Sequence, residues 1–311
     1  IPVIDGDQYV CEMNNVYLIT YTDTTSINVG ELHYQWYING ELRDNLGFGM
    51  GDSRYFAEHL YHRTEPYVFT VEVTRGNGCS RFSDPFNVYV EARPLVEITA
   101  TETNICTGGS VTLTANLENY HHNDLIFQWY KDSVTRDNEI YGATQYTYTT
   151  DTLDTTTRFL VRVWRERSEC FDVDTIDINV YPDPVIDSIT VSNAIICDGA
   201  PVVVTAHANL NDTLGRYTYT WFRNGIEIPD VHGNTFTDYP VIVDHDVTTF
   251  VYSAIVTQNA AGCTSAEVAS EEVVVNPHPT VTIVPEASTT VCEGGEVVLH
   301  ANVDPADNDY Q

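Results

Sequence analysis

The 311 residues carry 45 acidic and 14 basic side chains, a formal net charge of −31, with 42% hydrophobic and 19% charged residues. Such a chain can bury a core. It lacks the basic footprint that a phosphate backbone demands, its charge opposes anionic lipid, and no run of about 18 apolar residues is present to span a bilayer. Neither nucleic acid nor membrane insertion is therefore expected. The N-terminus has no basic-then-apolar pattern, so any signal peptide is expected outside this stretch.

In chain order, the first unit opens on the proline junction Ile1-Pro2-Val3 and the segment Tyr9-Val10-Cys11. An aromatic strand, Tyr34-Gln35-Trp36-Tyr37, follows, then the alternating run Phe69-Thr70-Val71-Glu72-Val73, then Gly78-Cys79 in a turn. Alternation of this kind predicts half-buried strands, and the abundant Thr, Val and Tyr suit a pleated surface. Between the strands, Arg54 to Arg63 is rich in aromatics and His. Ala57-Glu58-His59-Leu60-Tyr61 is expected to form a short helical turn, and the stretch to pack against a preceding domain, with a binding loop as the alternative.

The pattern then repeats. The second unit runs from Arg93-Pro94-Leu95 through Asn104-Ile105-Cys106 and Phe127-Gln128-Trp129-Tyr130 to Glu169-Cys170. The third runs from Asp183-Pro184-Val185 through Ile195-Ile196-Cys197 and Tyr219-Thr220-Trp221-Phe222 to Gly262-Cys263. A fourth begins at His278-Pro279-Thr280, reaches Thr290-Val291-Cys292 and stops at Tyr310-Gln311. The chain reads as a window on a longer one.

The expected fold class is all-β: tandem immunoglobulin-like β-sandwiches in an extended rod, with domains at 1–93, 94–183 and 184–278 and a truncated fourth at 279–311. Trp36, Trp129 and Trp221 are the expected core pins between sheets. Ile4, Ile98 and Ile189 follow the proline junctions and are expected to seal against the previous unit.

The seven cysteines divide into three sequential pairs, Cys11–Cys79, Cys106–Cys170 and Cys197–Cys263, with Cys292 left unpaired in this window. Disulfides of this number imply an oxidising compartment. No Cys-x-x-Cys spacing supports zinc.

The run Ile105-Cys-Thr-Gly-Gly-Ser-Val-Thr-Leu-Thr-Ala115, with Phe127 to Asp132, Ile140 to Thr149, Glu169-Cys170 and Val180-Tyr181-Pro182, resembles the Ig-like/PKD-like repeats of large secreted surface proteins of Bacteroidota. The resemblance implies tandem sandwiches in adhesins, filaments and modular enzymes at the cell surface, exported by type IX secretion, with no catalytic residues. The first unit departs from the pattern at Leu46 to Asp52. Asp-Ser/Thr sequences resemble the phylum's O-glycosylation sequon, with Thr24, Ser133, Thr152, Thr155, Thr175, Ser188 and Thr213 as acceptors; Asn211 begins one Asn-x-Thr.

Nucleophilic catalysis has no Gly-x-Ser-x-Gly elbow here, and the chain is read as non-enzymatic. No cofactor is expected. Calcium is the one candidate, at Asp183 and Asp187, at Asp244 and Asp246, or in the Asp304–Asp309 stretch, none of which has EF-hand spacing. Solvated acidic loops are the alternative. On the strand Arg158 to Trp164, Phe159, Val161 and Val163 alternate inward, leaving Arg158, Leu160, Arg162 and Trp164 outward. Arg162 and Trp164 are candidates to meet a sugar ring or a neighbouring chain. The expected function is a structural or adhesive stalk in a disulfide-stapled rod or filament. Its partners would be further repeats of the same chain, neighbouring copies, surface glycans or proteins of a host or another cell. The alternative is a spacer or sugar-binding region of a secreted enzyme.

Overall fold

A computed structural model describes residues 1–22, 31–43, 52–57, 59–118, 125–210, 217–243, 246–286 and 289–304. The first domain consists of β1 (Val3–Gly6), β2 (Tyr9–Cys11), β3 (Val16–Tyr21), β4 (Leu32–Ile38), β5 (Glu41–Arg43), β6 (Arg54–Ala57), β7 (Tyr67–Arg75), β8 (Ser80–Phe82) and β9 (Phe86–Glu91). One sheet has the order β1-β3-β6; the other has β2-β9-β7-β4-β5, with β8 on β7. The chain crosses between sheets after β1, and β2 joins β9 in parallel with Cys11 opposite Glu91.

The second domain repeats this plan with β10 (Val96–Ala100), β11 (Asn104–Cys106), β12 (Thr112–Leu117), β13 (Ile126–Lys131), β14 (Thr147–Thr149), β15 (Thr157–Trp164) and β16 (Phe171–Tyr181). Its sheets are β10-β12-β14 and β11-β16-β15-β13. The third has β17 (Val185–Val191), β18 (Ile195–Cys197), β19 (Val202–Asn209), β20 (Tyr217–Arg223), β21 (Ile226–Ile228), β22 (Thr235–Asp238), β23 (Thr248–Phe250), β24 (Tyr252–Gln258), β25 (Cys263–Thr264), β26 (Val268–Ala269) and β27 (Val273–Asn276). There β17-β19-β22 forms one sheet, while β18-β27-β23 and β21-β20-β24-β25 divide the other face, with β26 on β24. Beyond it, β28 (Thr280–Pro285) and β29 (Leu299–Asp304) form an antiparallel pair. By compactness the chain falls into two units: Ile1–Thr103 with Gly108–Val180, and Asn104–Thr107 with Tyr181–Gln311. Strand β11 therefore belongs with the second unit.

Alternation decides which side chains face in. Strand β3 buries Val16, Leu18 and Thr20 and exposes Tyr17 and Tyr21; β19 buries Val202, Val204 and Ala206. A side-chain period of two puts each apolar set on one face. At the centre, Trp36, Trp129 and Trp221 are 1%, 0% and 0% exposed. Each indole Nε1 donates to a backbone carbonyl, of Asp52 at 3.2 Å, Gln145 at 2.9 Å and Gly233 at 2.9 Å. This removes the cost of burying an unpaired N–H.

The same three-ring stack recurs in every domain. Trp36 meets Tyr55 (5.2 Å between centroids), and Tyr55 meets Phe69 (5.7 Å). Trp129 meets Tyr148 (6.0 Å), which meets Phe159 (6.1 Å). Trp221 meets Phe236 (4.9 Å), which meets Tyr252 (6.0 Å). Each stack ties the two sheets together, and truncating its Trp to Ala would cost about 3–5 kcal/mol.

Two sequence expectations are corrected. The segment expected to form a helical turn instead starts as strand β6, which pairs with β3; His59 then takes a positive φ of 52°. Leu60 joins the core of its own domain, and the Met13 N–H donates to its carbonyl at 2.8 Å. Tyr55 is 3% exposed inside the sandwich, whereas Tyr61 stays 63% exposed, so part of the stretch's aromatic content fills the domain's own interior. Likewise Ile4 and Ile189 belong to the cores of their own domains rather than facing the preceding one. Ile98, 7% exposed, lies on β10 and pairs with Ala115.

In the third domain the Tyr252 hydroxyl donates to Asp238 at 2.8 Å, and Arg223 reaches the same carboxylate at 2.9 Å. Burial first, then this hydrogen bond, holds the phenol well above its ordinary value of 10.0. The unfolded chain releases that proton near pH 10 and the folded chain keeps it, so stability falls as pH rises past 10. We expect Tyr252→Phe to reduce the steepness of the alkaline loss by up to one proton, read from denaturation midpoints between pH 8 and 11.

Candidate functional site

The cysteines do not pair within domains. Cys11 is bonded to Cys170, with Cα atoms 5.0 Å apart, and Cys106 to Cys263, at 5.5 Å. Cys79, Cys197 and Cys292 are free and exposed. The expected pairs Cys11–Cys79, Cys106–Cys170 and Cys197–Cys263 are thus corrected: the first cysteine of one repeat takes the second cysteine of the next.

The reason is topological. Cys11 lies opposite Glu91, at the far end of the last strand of its domain. Cys79 sits in the turn beyond the far end of β7, where Arg75 N–H donates to its carbonyl at 2.9 Å, whereas β9 pairs with the Tyr67 end of that strand. The nine residues of β7 between these ends rise about 3.3 Å each, so the two thiols lie on the order of 30 Å apart. A disulfide requires Cα atoms within about 7 Å. The third domain has the same layout: Cys197 opposes Asn276 at one end, while Cys263 opposes Gln258 in the hairpin at the other.

Around the first staple, the β15–β16 hairpin of the second domain sits on the β2–β9 end of the first. Ser168 Oγ donates to Glu91 Oε2 at 2.5 Å, and Arg165 Nε lies 3.8 Å from the same oxygen. The Arg167 guanidinium stacks 5.4 Å from the centre of the Tyr9 ring, a cation–π contact. Cys170 Sγ lies 3.5 Å from the Glu91 carbonyl oxygen. At the second staple Cys263 Sγ lies 3.9 Å from the Tyr181 carbonyl oxygen. Tyr181 has the place of Glu91: Thr107 N–H donates to its carbonyl, as Glu12 N–H does to that of Glu91. Cys11 and Cys170 are 4% and 1% exposed, so the first bond is shielded from solvent thiols; in the second, Cys263 is 2% exposed and Cys106 is half-buried.

The one group of three potential metal ligands among the described residues is Cys106, Asp183 and Cys263, with ligand atoms within 4.8 Å. Its sulfurs are joined to each other and offer no thiolate. Asp187 and Asp246 fall in no such group; Asp244 lies outside the described residues.

Arg162 and Trp164 are half-buried on the outer face of β15. The Arg162 guanidinium lies 5.3 Å from the Trp164 ring and 4.7 Å from that of Phe171, so the indole is already capped by its own domain. Leu160, expected outward, is covered at 8% exposure, opposite Tyr130. Arg158 is exposed and gripped bidentately by Asp177 at 2.7 and 2.8 Å. This pairing holds the Asp177 carboxyl below its usual range. Of the sequon hydroxyls, Thr152, Thr155, Thr175 and Ser188 are exposed. Ser133 is half-buried and accepts from Asn138 at 2.7 Å. Thr24, Asn211 and Thr213 lie outside the described residues.

Cutting the chain at an engineered protease site beside Pro94 should leave the pieces joined by Cys11–Cys170 on a non-reducing gel and separate them after reduction. Pairing within domains would release two pieces under both conditions.

No helix among the described residues is long and apolar enough to cross a membrane. Disulfides form and persist in an oxidising compartment, the setting of secreted proteins. Residues 92–182 match the family described as Ig-like domain CHU_C associated, a Bacteroidota-associated family. No curated protein matches the chain. Among solved structures, the three N-terminal domains of the highly immunogenic outer capsid protein of bacteriophage RB49 are 14% identical, with a TM-score of 0.42, covering 89% of this chain and 99% of that one. Extracellular domains 3–5 of Drosophila OTK are 12% identical, with a TM-score of 0.38, covering 88% and 95%. The ectodomain of mouse nectin-like molecule 4 is 14% identical, with a TM-score of 0.36, covering 88% and 98%. The chain is a tandem of immunoglobulin-like β-sandwiches in which successive repeats are joined by disulfides as well as by the backbone.

Proposed function

We propose that this chain is a non-catalytic stalk segment of a large secreted cell-surface protein, which carries tension and separates a binding activity held elsewhere from its anchor. The observation that carries this reading is the overlap of the two staples: Cys11–Cys170 and Cys106–Cys263 interlock in sequence. Neither bond serves a reactive centre. Each gives a junction a second covalent connection, so force passing from one domain to the next does not depend on a single proline-bearing linker. The net charge of −31 keeps such repeats from sticking to one another. Exposed hydroxyls at Thr152, Thr155, Thr175 and Ser188 are available for O-glycosylation, which would further shield the surface from proteases.

The competing reading, a sugar-binding accessory region, rests on Trp164. The Arg162 guanidinium over that ring already occupies one π-face of the half-buried indole, and this favours the stalk.

Single-molecule pulling on the oxidised chain tests the stalk. With every domain unfolded, the taut path runs through both disulfides and skips most of the sequence. The oxidised chain should reach about two-fifths of the length of the reduced chain, at roughly 3.3–3.6 Å per residue. Equal lengths before and after reduction would remove the basis of the proposal.

A further inference from the structure

Three equivalent hairpins and three equivalent strand ends are present, but only two pairs of them are joined. The hairpin cysteines correspond by backbone pairing: Arg75 N–H donates to the Cys79 carbonyl and Arg165 N–H to that of Cys170, each at 2.9 Å, and Gln258 opposes Cys263. The strand cysteines correspond in the same way. The residues after Cys11, Cys106 and Cys197 donate their N–H to the carbonyls of Glu91, Tyr181 and Asn276, at 2.8, 3.0 and 2.9 Å. In both joined cases the incoming hairpin sulfur rests beside that carbonyl. Within the three complete domains Cys79 and Cys197 are the remaining half-links, one of each kind, and both are exposed, as is Cys292 of the fourth repeat.

Their surroundings match the joined ends. Beside Cys79 a cleft is lined by Ile1, Pro2, Leu32, Arg75 and Asn77. Arg75 has the place of Arg165, which faces Glu91 across the first junction. At the other half-link, Ile195 has the place of Tyr9, two residues before the cysteine. Tyr9 is covered by Arg167 of the incoming hairpin, whereas Ile195 is 68% exposed. Both ends therefore present the surface that the established junctions bury.

We infer that Cys197 is the anchor for the hairpin cysteine of the Ig-like domain that begins with β28, and that Cys79 is the anchor for the strand cysteine of an Ig-like domain preceding β1. The partner in each case is a repeat of this same design in the same chain, and the staple becomes a continuous ladder along the array. This deepens the stalk reading and rests on the inter-repeat pairing described above. Each link forms by two thiol–disulfide exchanges. A cysteine thiolate attacks the disulfide of a thiol oxidase; the second thiolate then displaces the oxidase sulfur. Two thiols lose two protons and two electrons, and the oxidase disulfide becomes a dithiol.

The test is a disulfide map of the native full-length protein, alkylated before unfolding. Cys197 and Cys79 should each be found bonded to a cysteine outside residues 1–311 of the same polypeptide. In a Cys197→Ser variant, one new alkylated thiol should appear, in a hairpin of the following repeat. Recovery of Cys79 and Cys197 as alkylated thiols, or bonded to each other between copies, would overturn the inference. Cys11–Cys170 and Cys106–Cys263 are read in the same map. Their presence with free Cys79 and Cys197 would refute the ladder alone; their absence would refute the staple and the stalk reading with it.

Discussion

A strand ending at one pole of a β-sandwich and a hairpin turning at the other are separated by the length of the long strand that leads into the hairpin. Here each repeat places its first cysteine at the first of these poles and its second at the other. A covalent bond between them inside one domain is sterically impossible. The same bond between neighbours is short, because the far pole of one domain meets the hairpin of the next. The staple follows from where the fold puts two thiols, and it leaves the interior of each sandwich to be held by other means.

Those means are apolar and aromatic. The Trp–aromatic–aromatic stack recurs in all three complete domains. Each indole finds a backbone carbonyl, so the largest side chain in the core carries no unsatisfied polar atom. In antibody domains a disulfide crosses the sheets beside the corresponding Trp. Here the sulfurs are at the poles, and a second ring on the facing sheet takes the place beside the Trp. The separation of duties is physical: rings hold sheet to sheet, while sulfur holds repeat to repeat.

The junctions show how the polar residues are used. Glu91 gathers the Ser168 hydroxyl and the Arg165 side chain, and Tyr9 lies under Arg167. A half-buried acidic group at the strand end and basic groups on the hairpin form complementary halves of one contact. Such pairing adds little when fully exposed, but it fixes the orientation in which the thiols meet. On the outer face of β15, Arg162 over Trp164 and Phe171 covers part of a surface that a strand-alternation argument leaves open to a ligand.

The sequence by itself determined the class of the molecule, the repeat and the residues at the core. Alternating Val and Thr, turns rich in Gly, Asp and Asn, and one Trp on the same strand of each unit are local signals, and burial follows directly from a side-chain period of two. It also held a hint about the cysteines, since the second of each pair stands in a Gly- or Glu-flanked turn rather than inside a strand. Which cysteine takes which was decided only by the tertiary structure. In a periodic chain, pairing within a unit and pairing with the next unit satisfy the same composition and the same spacing rule. The stretch around Ala57 misled for a related reason: a helical turn expected from Ala57 to Tyr61 fits locally, and only the pairing of β6 with β3 puts Ala57 in a strand and Tyr55 in the core. Distances between poles of a sandwich exist only once the strands are assembled, so the bond that defines this chain is written in its topology and not in its spacing.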